Sequence, residues 1–321
     1  MKKYNLMKYL LIITIIVFIS GCNSSLNNSS LNNDKLAKIT VNPLDETGSG
    51  GNFKKLNIGI DKNNIPQKFK VYKVKAPKID KNQIKEKANK LGIVGELIED
   101  GKIIRISGET GDFIVNKITG SERYFAKQMR GDVEPKPLKN ILKDEGYVKL
   151  ASDFLNKYGF SKPNMVLKGV NKGYRIGTID KQGNETQSIA KVEVMFESKP
   201  IDGIKYTGVG PKISVWFGDN GEIIGYGSIW REIEETSNYP LISMDEAVDN
   251  IKKGKALIYN LSNSDEEGTI ESGELVLWSE PDGYEQKYVI PHYIFKGKTK
   301  DGRAFTIVTR AISDIYRREQ I

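Results

Sequence analysis

The side chains with chemistry to offer are few and unevenly placed. One histidine, His292, and one cysteine, Cys22, stand in 321 residues. A single histidine excludes an intramolecular two-histidine metal site and leaves an acid–base histidine apparatus without a second member. His292 follows Pro291 in a strand-like run and reads as a structural side chain. Carboxylates are plentiful. Asn263, Asp265, Glu267, Gly268, Glu271 and Glu274 fall at relative positions 1, 3, 5, 6, 9 and 12, with Ile270 at 8. That is the spacing of a calcium loop, where oxygen ligands surround a hard cation and glycine makes the sharp turn. Asn rather than Asp at the first position, and a strand-like continuation at Glu274, fit an acidic loop at a hairpin end instead. Ca2+ is the one cofactor the sequence offers. Glu232 with Glu234 and Glu235 could supply a glycosidase pair, but their spacing fits a solvated face equally. Gly208-Val209-Gly210-Pro211 has the wrong continuation for a phosphate loop. No Gly-x-Ser-x-Gly elbow, Walker loop or dinucleotide fingerprint occurs. These residues predict a protein that is not an enzyme.

The cysteine has a different explanation. Lys2, Lys3 and Lys8 precede an apolar run from Leu10 to Ile19. A membrane span needs ~20 residues, so this run suits a signal-peptide core instead. It ends in Ile19-Ser20-Gly21-Cys22, which resembles the bacterial lipobox, where the cysteine is diacylated and becomes the first mature residue. Several acyl chains anchor far more firmly than one, at ~0.8 kcal/mol per buried CH2. Residues 1–22 are therefore expected to be a lipoprotein signal peptide, with Cys22 the lipid attachment point. The mature chain is expected on the outer face of the cytoplasmic membrane of a bacterium, Gram-positive by its Lys/Asn/Ile-heavy composition. Residues 23–52 read as a flexible tether. Asn23–Asn27 repeats as Asn28–Asn32, and Thr47-Gly48-Ser49-Gly50-Gly51 adds a second polar stretch.

The formal charge of +8 is concentrated. Between Lys54 and Lys90, twelve lysines face only Asp61, Asp80 and Glu86. Lys54, Lys55, Lys68, Lys70, Lys73, Lys75 and Lys78 could lie against anionic headgroups or an anionic wall polymer, at ~1 kcal/mol per lysine near the surface. A solvated face reads as well. The stretch lacks arginine and has little aromatic interleaving, so nucleic acid is not an expected partner. Trp216, Tyr226, Trp230, Tyr239, Trp278 and Tyr284 either pack sheets or form a surface that stacks carbohydrate or peptide.

Three helix-then-strands units must position these groups. The first has a helix from Lys81 to Leu91, with Asp80 as N-cap, Gln83 at N3 and Gly92 after the end. The second has a helix from Tyr147 to Tyr158, closed by Gly159. The third opens at Ser243-Met244-Asp245-Glu246, a capping box. Strand signals follow each helix, with hairpin turns at Asp100-Gly101, Asp219-Asn220-Gly221 and Lys300-Asp301-Gly302. Pro291 inside a strand implies an edge or a bulge. The pattern predicts an α+β fold of tandem small domains, each a helix packed on an antiparallel β-sheet. The expected boundaries are 53–135 for an N-terminal unit, 136–235 for a second and 236–321 for a third.

The second unit, through Leu150–Gly159, Ile213–Phe217 and Gly221–Tyr226, resembles the PepSY modules of bacterial secreted proteins. The third resembles the C-terminal part of YycI and YycH proteins, through Ile242–Ala247, Tyr288–Gly297 and Phe305–Ile312. The resemblance covers roughly residues 146–315, with a weaker echo at 80–125. It implies a non-enzymatic role: binding a protein or peptide, inhibiting a protease, or regulating a membrane sensor kinase. YycI and YycH proteins act through an uncleaved membrane helix, which this chain would lose on processing. An envelope-polymer or carbohydrate-binding lipoprotein is the other reading, and an enzyme of unrecognised type the third.

Overall fold

The structure, a computed structural model, describes residues 36–42, 53–59, 66–179, 185–261 and 266–319. Cys22, the signal-like segment, Asn263 and Asp265 lie outside them.

Local chemistry sets the helices. Asp80 takes the backbone N–H groups of Asn82 and Gln83 at 2.8 and 3.2 Å and starts α1, Lys81–Lys90. Helix α2, Asp144–Tyr158, carries acids in its first turn and ends at Gly159, whose φ of 69° is a left-handed cap that glycine adopts without strain. Ser243 Oγ accepts from Glu246 N–H at 3.1 Å and starts α3, Met244–Lys252.

The strands, in chain order, begin with β1 Ile39–Val41, β2 Phe53–Ile58, β3 Lys68–Val74, β4 Leu97–Asp100, β5 Ile103–Ser107, β6 Gly111–Asn116 and β7 Glu122–Ala126. There follow β8 Met165–Ile179, β9 Glu185–Ser198, β10 Tyr206–Gly208, β11 Lys212–Phe217, β12 Ile223–Ile229 and β13 Ile233–Pro240. The last are β14 Leu257–Tyr259, β15 Glu266–Ser279, β16 Tyr288–Val289, β17 Pro291–Thr299, β18 Ala304–Arg310 and β19 Arg317–Glu319.

One sheet has eight strands in the order β4-β5-β6-β7-β12-β11-β9-β8. Period-two alternation turns Phe113, Val115, Val194, Val215 and Phe217 to one face, where Ile84 and Ala88 of α1 and Tyr147, Ala151, Phe154 and Leu155 of α2 cover them. Aromatic contacts close this core, with Tyr147 and Phe217 ring centroids 5.1 Å apart and Phe160 stacked on Tyr226 at 4.2 Å. Each such side chain, fully buried, contributes ~1.5–3 kcal/mol. A second sheet runs β10-β15-β17-β18-β14, with β2 also parallel to β15. Two smaller sheets are β13-β3-β16 and the parallel pair β1-β19.

The expected α+β class is overturned. Half of the described residues, 50%, are strand. Among the described residues three α-helices stand against nineteen strands gathered into large sheets, rather than a helix on a small sheet repeated. The physical reason is long-range edge pairing. β7 bonds to β12 across a hundred residues of sequence, Gly225 opposite Phe125, and β2 bonds to β15, so free strand edges are paired rather than left in separate units. Residues 36–321 form one compact unit. Part of the expected tether is also strand: Ile39 and Val41 are buried against β19, and Tyr239 Oη donates to the Ala37 carbonyl at 2.7 Å. Pro291 is the first residue of the central β17, a position that needs no ladder N–H from it.

The two large sheets meet at a polar joint. Arg231, buried just after β12, donates to Ser279 Oγ at 3.2 Å and to the carbonyls of Glu280, Pro281 and Tyr284 at 2.8, 3.0 and 3.2 Å. Asp282 in the same loop accepts from Thr119 and Ser121 hydroxyls at 2.8 and 2.6 Å and from Arg123 at 2.8 Å.

Candidate functional site

The face of the eight-stranded sheet opposite α2 carries an aromatic row. Register places Phe125, Gly225, Trp216 and Glu193 side by side across β7, β12, β11 and β9. The Trp216 indole lies over the glycines of β12: a Cβ at Gly225 would meet its Cε3 at 2.8 Å, and one at Gly227 its Cη2 at 2.9 Å. Phe125 stacks on the indole, with centroids 6.1 Å apart. Lys191 Nζ sits 4.2 Å from the Tyr174 ring centroid and 5.8 Å from that of Trp216, within cation–π range. Tyr174 Oη donates to Glu193 at 2.8 Å, and burial first, then the carboxylate, raises the phenol pKa.

Beside this row lies a groove of about 800 Å³, the size of a ligand or peptide site. One wall is the crossover from β7 to α2, residues 128–138; the other is the arm formed by β8 and β9. The crossover is fastened at several points. Arg130 Nε donates to Asp112 at 2.8 Å and its Nη2 to the Gly108 carbonyl at 2.6 Å. Gln128 donates to Glu222 at 2.9 Å, and Leu138 N–H donates to the Ile189 carbonyl at 2.8 Å. Asp219 accepts the backbone N–H groups of Lys139 and Asn140 at 2.8 and 2.6 Å, and these bonds hold its carboxyl below the usual range. Among the lining charges, Asp219, Glu222 and Arg130 are thus already engaged. Among the described residues Lys136 and Arg175 have no carboxylate at ion-pair distance, and Lys191 rests on aromatic faces. Four cations, Arg130, Lys136, Arg175 and Lys191, and three acids, Glu134, Asp219 and Glu222, stand around an apolar lining of Met129, Val133, Leu138, Ile176 and Ile224.

The basic residues read from the sequence are dispersed. Lys54 and Lys55 lie on β2, and Lys68, Lys70 and Lys73 on β3. Lys70 bonds Glu235 at 2.8 Å, and Lys73 lies 3.5 Å from Glu234. Two of the three carboxylates with glycosidase spacing are therefore cross-strand partners of lysines. Lys75 and Lys78 follow β3 and line a different cavity, together with Trp230 and Glu232.

Glu267, Glu271 and Glu274 lie along the extended β15. At about 3.3 Å per residue the first and last are ~20 Å apart, too far to share one cation as calcium-loop ligands do. Glu271 lies 3.6 Å from Lys298. Among the described residues no three His, Cys, Asp or Glu side chains gather to hold a metal ion.

His292 is 3% exposed, with Nδ1 3.1 Å from the Ile290 carbonyl and its ring 5.6 Å from Trp278. Burial first, then Arg310, pushes its pKa down to about 3, so it is neutral near pH 7. Of the six aromatics, Tyr226 and Tyr239 are core, Trp216, Trp230 and Trp278 are half-buried, and Tyr284 is exposed.

Sequence reading missed Lys136, Tyr174, Arg175 and Lys191. They come from three separate segments, and only the glycine pair flanking Tyr226, at 225 and 227, hinted at a large side chain lying across a strand.

No family model matches the chain, and no curated protein does either. Among solved structures it is similar to an uncharacterized protein from Eubacterium rectale, 12% identical over 81% of this chain and 89% of that one, with a TM-score of 0.39. A likeness that shallow constrains neither fold nor function.

Proposed function

We propose that this chain is a lipid-anchored, extracytoplasmic protein without enzymatic chemistry, whose groove beside Trp216 holds an acidic, extended segment of a protein or peptide partner. The observation that carries this reading is an apolar floor flanked by Lys136 and Arg175. Among the described residues Lys136 and Arg175 lack acidic partners, while Met129, Val133 and Ile176 offer apolar contact. Two such cations can each pair with an acid of a bound segment. The resemblance to PepSY and YycI/YycH modules supports a binding role. The lipid anchor rests on Lys2 to Cys22, and thirteen residues separate Cys22 from Leu36, the first described residue.

Two experiments test the parts separately. Metabolic labelling with palmitate is expected to mark the wild-type chain and to leave Cys22→Ala unlabelled; label on both contradicts attachment at Cys22. Cross-linking on intact cells is expected to capture a partner that the Lys136→Glu/Arg175→Glu variant fails to hold. The same partner on both forms contradicts the groove. The alternative, a lipoprotein that binds an envelope polymer or carbohydrate, draws on the other cavity, beside α1.

A further inference from the structure

We infer that the cavity between α1 and the segment joining β12 to β13 is a second site, built for a phosphate-bearing polyol or sugar unit. It deepens the envelope-polymer reading and is independent of the peptide groove.

The cavity measures about 330 Å³, room for one sugar-sized unit. Five cationic side chains line it, and two of them are already used. Lys87 is paired with Glu122 and lies over the Phe160 ring at 5.6 Å. Arg231 spends its guanidinium on the Ser279 hydroxyl and three carbonyls. Lys75, Lys78 and Lys162 remain, none with a carboxylate at ion-pair distance among the described residues. Asp80, the acid beside them, is occupied in capping α1. Glu232 is the other acid on the rim, which leaves a net positive opening.

Lys162 is half-buried, and an ammonium with no counter-ion among the described residues can take an anion that accepts several hydrogen bonds. Three ammonium groups around one opening match the charge and the acceptor number of a phosphate better than those of a single carboxylate. Beside them Trp230 contributes an apolar wall, suited to the C–H face of a polyol or sugar. The Gln83 side-chain amide on α1, which makes no hydrogen bond among the described residues, can serve hydroxyl groups. Two elements of the sequence reading, the lysine-rich stretch and Trp230, thereby meet at one place.

The test is a titration of the full-length chain in non-ionic detergent with glycerol 3-phosphate, inorganic phosphate and glycerol, followed by calorimetry and tryptophan fluorescence. Glycerol 3-phosphate is expected to bind about tenfold or more tighter than either of the other two. The Lys75→Ala/Lys78→Ala/Lys162→Ala variant should weaken it by about tenfold or more. Trp230→Phe should abolish the fluorescence change, whereas Trp216→Phe should retain it. Lys136→Glu/Arg175→Glu should leave this binding intact, which separates failure of this site from failure of the groove. Three results overturn the site: no binding of glycerol 3-phosphate, binding that the triple variant preserves within about twofold, or inorganic phosphate binding equally well.

Discussion

The eight-stranded sheet and the sheet built on β15 and β17 use the same strand chemistry to different ends. In the first, helices cover one face and the other stays open, with Trp216, Phe125 and Tyr174 laid across it and a groove of about 800 Å³ at its end. In the second, the central β17 is apolar on both faces. Tyr293 and Phe295 pack with α3, while Ile294 packs with Val276 and Val308 on the other side. The cavity beside its His292 holds only about 10 Å³. An open sheet face can take a ligand, whereas the stretch of β17 from Pro291 to Phe295, buried on both faces, serves as frame. Under the proposed function, recognition belongs to the eight-stranded sheet and its margins, and the second sheet serves as architecture.

The largest expected effect strikes the joint between them. Arg231→Ala leaves the Ser279 hydroxyl and three carbonyls without their donor, at roughly 1 kcal/mol each. Urea unfolding is expected to show a loss of about 3–4 kcal/mol. A loss under about 1 kcal/mol would mean that Arg231 does not tie the sheets together.

Next comes a matched pair of glycines. A Cβ at Gly297 would meet the Thr269 carbonyl oxygen at 2.2 Å and Phe305 Cζ at 2.5 Å, deep in the covered sheet. At Gly225 the nearest atom is Trp216 Cε3 at 2.8 Å, a side-chain atom, and the nearest backbone atom is the Tyr124 carbonyl oxygen at 3.2 Å. Gly297→Ala is therefore expected to cost about 3 kcal/mol or more and Gly225→Ala about 1–2, read from denaturant midpoints. Equal costs would erase the distinction between a closed and an open face.

A smaller effect depends on pH. Burial pushes the pKa of His292 down to about 3 in the folded chain from its ordinary 6.5. Below pH 6.5 the unfolded chain takes up a proton that the folded chain refuses, so stability falls as pH drops towards 3 and is complete above 6.5. Between pH 7.5 and 5.0 this group should account for about 2 kcal/mol. His292→Gln should remove that share, and an unchanged pH profile in the variant would refute a buried neutral histidine.

Smallest of all in stability are Lys136→Ala and Arg175→Ala, each expected within about 0.5 kcal/mol of wild type while weakening an acidic peptide severalfold. A marked loss of stability would instead make these side chains part of the frame.

Helix ends were legible because their chemistry is local. Asp80, Gly159 and Ser243 cap helices through groups only a few residues away. Strand β3 was hidden by its lysines. Phe69, Val71 and Tyr72 are buried, while the flanking Lys70 and Lys73 turn to acids of β13 and gave the appearance of a basic patch. β1 was hidden by the polar sequence around Ile39 and Val41. The merger of units into wide sheets depends on pairings such as β7 with β12, which no local pattern encodes. The groove was illegible for the same reason, since its walls come from residues 128–138, 173–176, 190–191 and 218–224.

The most direct test of the account is a titration of the full-length chain in non-ionic detergent with a labelled peptide alternating glutamate and leucine, followed by fluorescence anisotropy. Saturable binding is predicted, weakened about tenfold or more in Lys136→Glu/Arg175→Glu and unchanged in the Lys75→Ala/Lys78→Ala/Lys162→Ala variant. Absence of saturation, or a groove variant that binds within about twofold of wild type, would contradict the assignment of recognition to the open sheet.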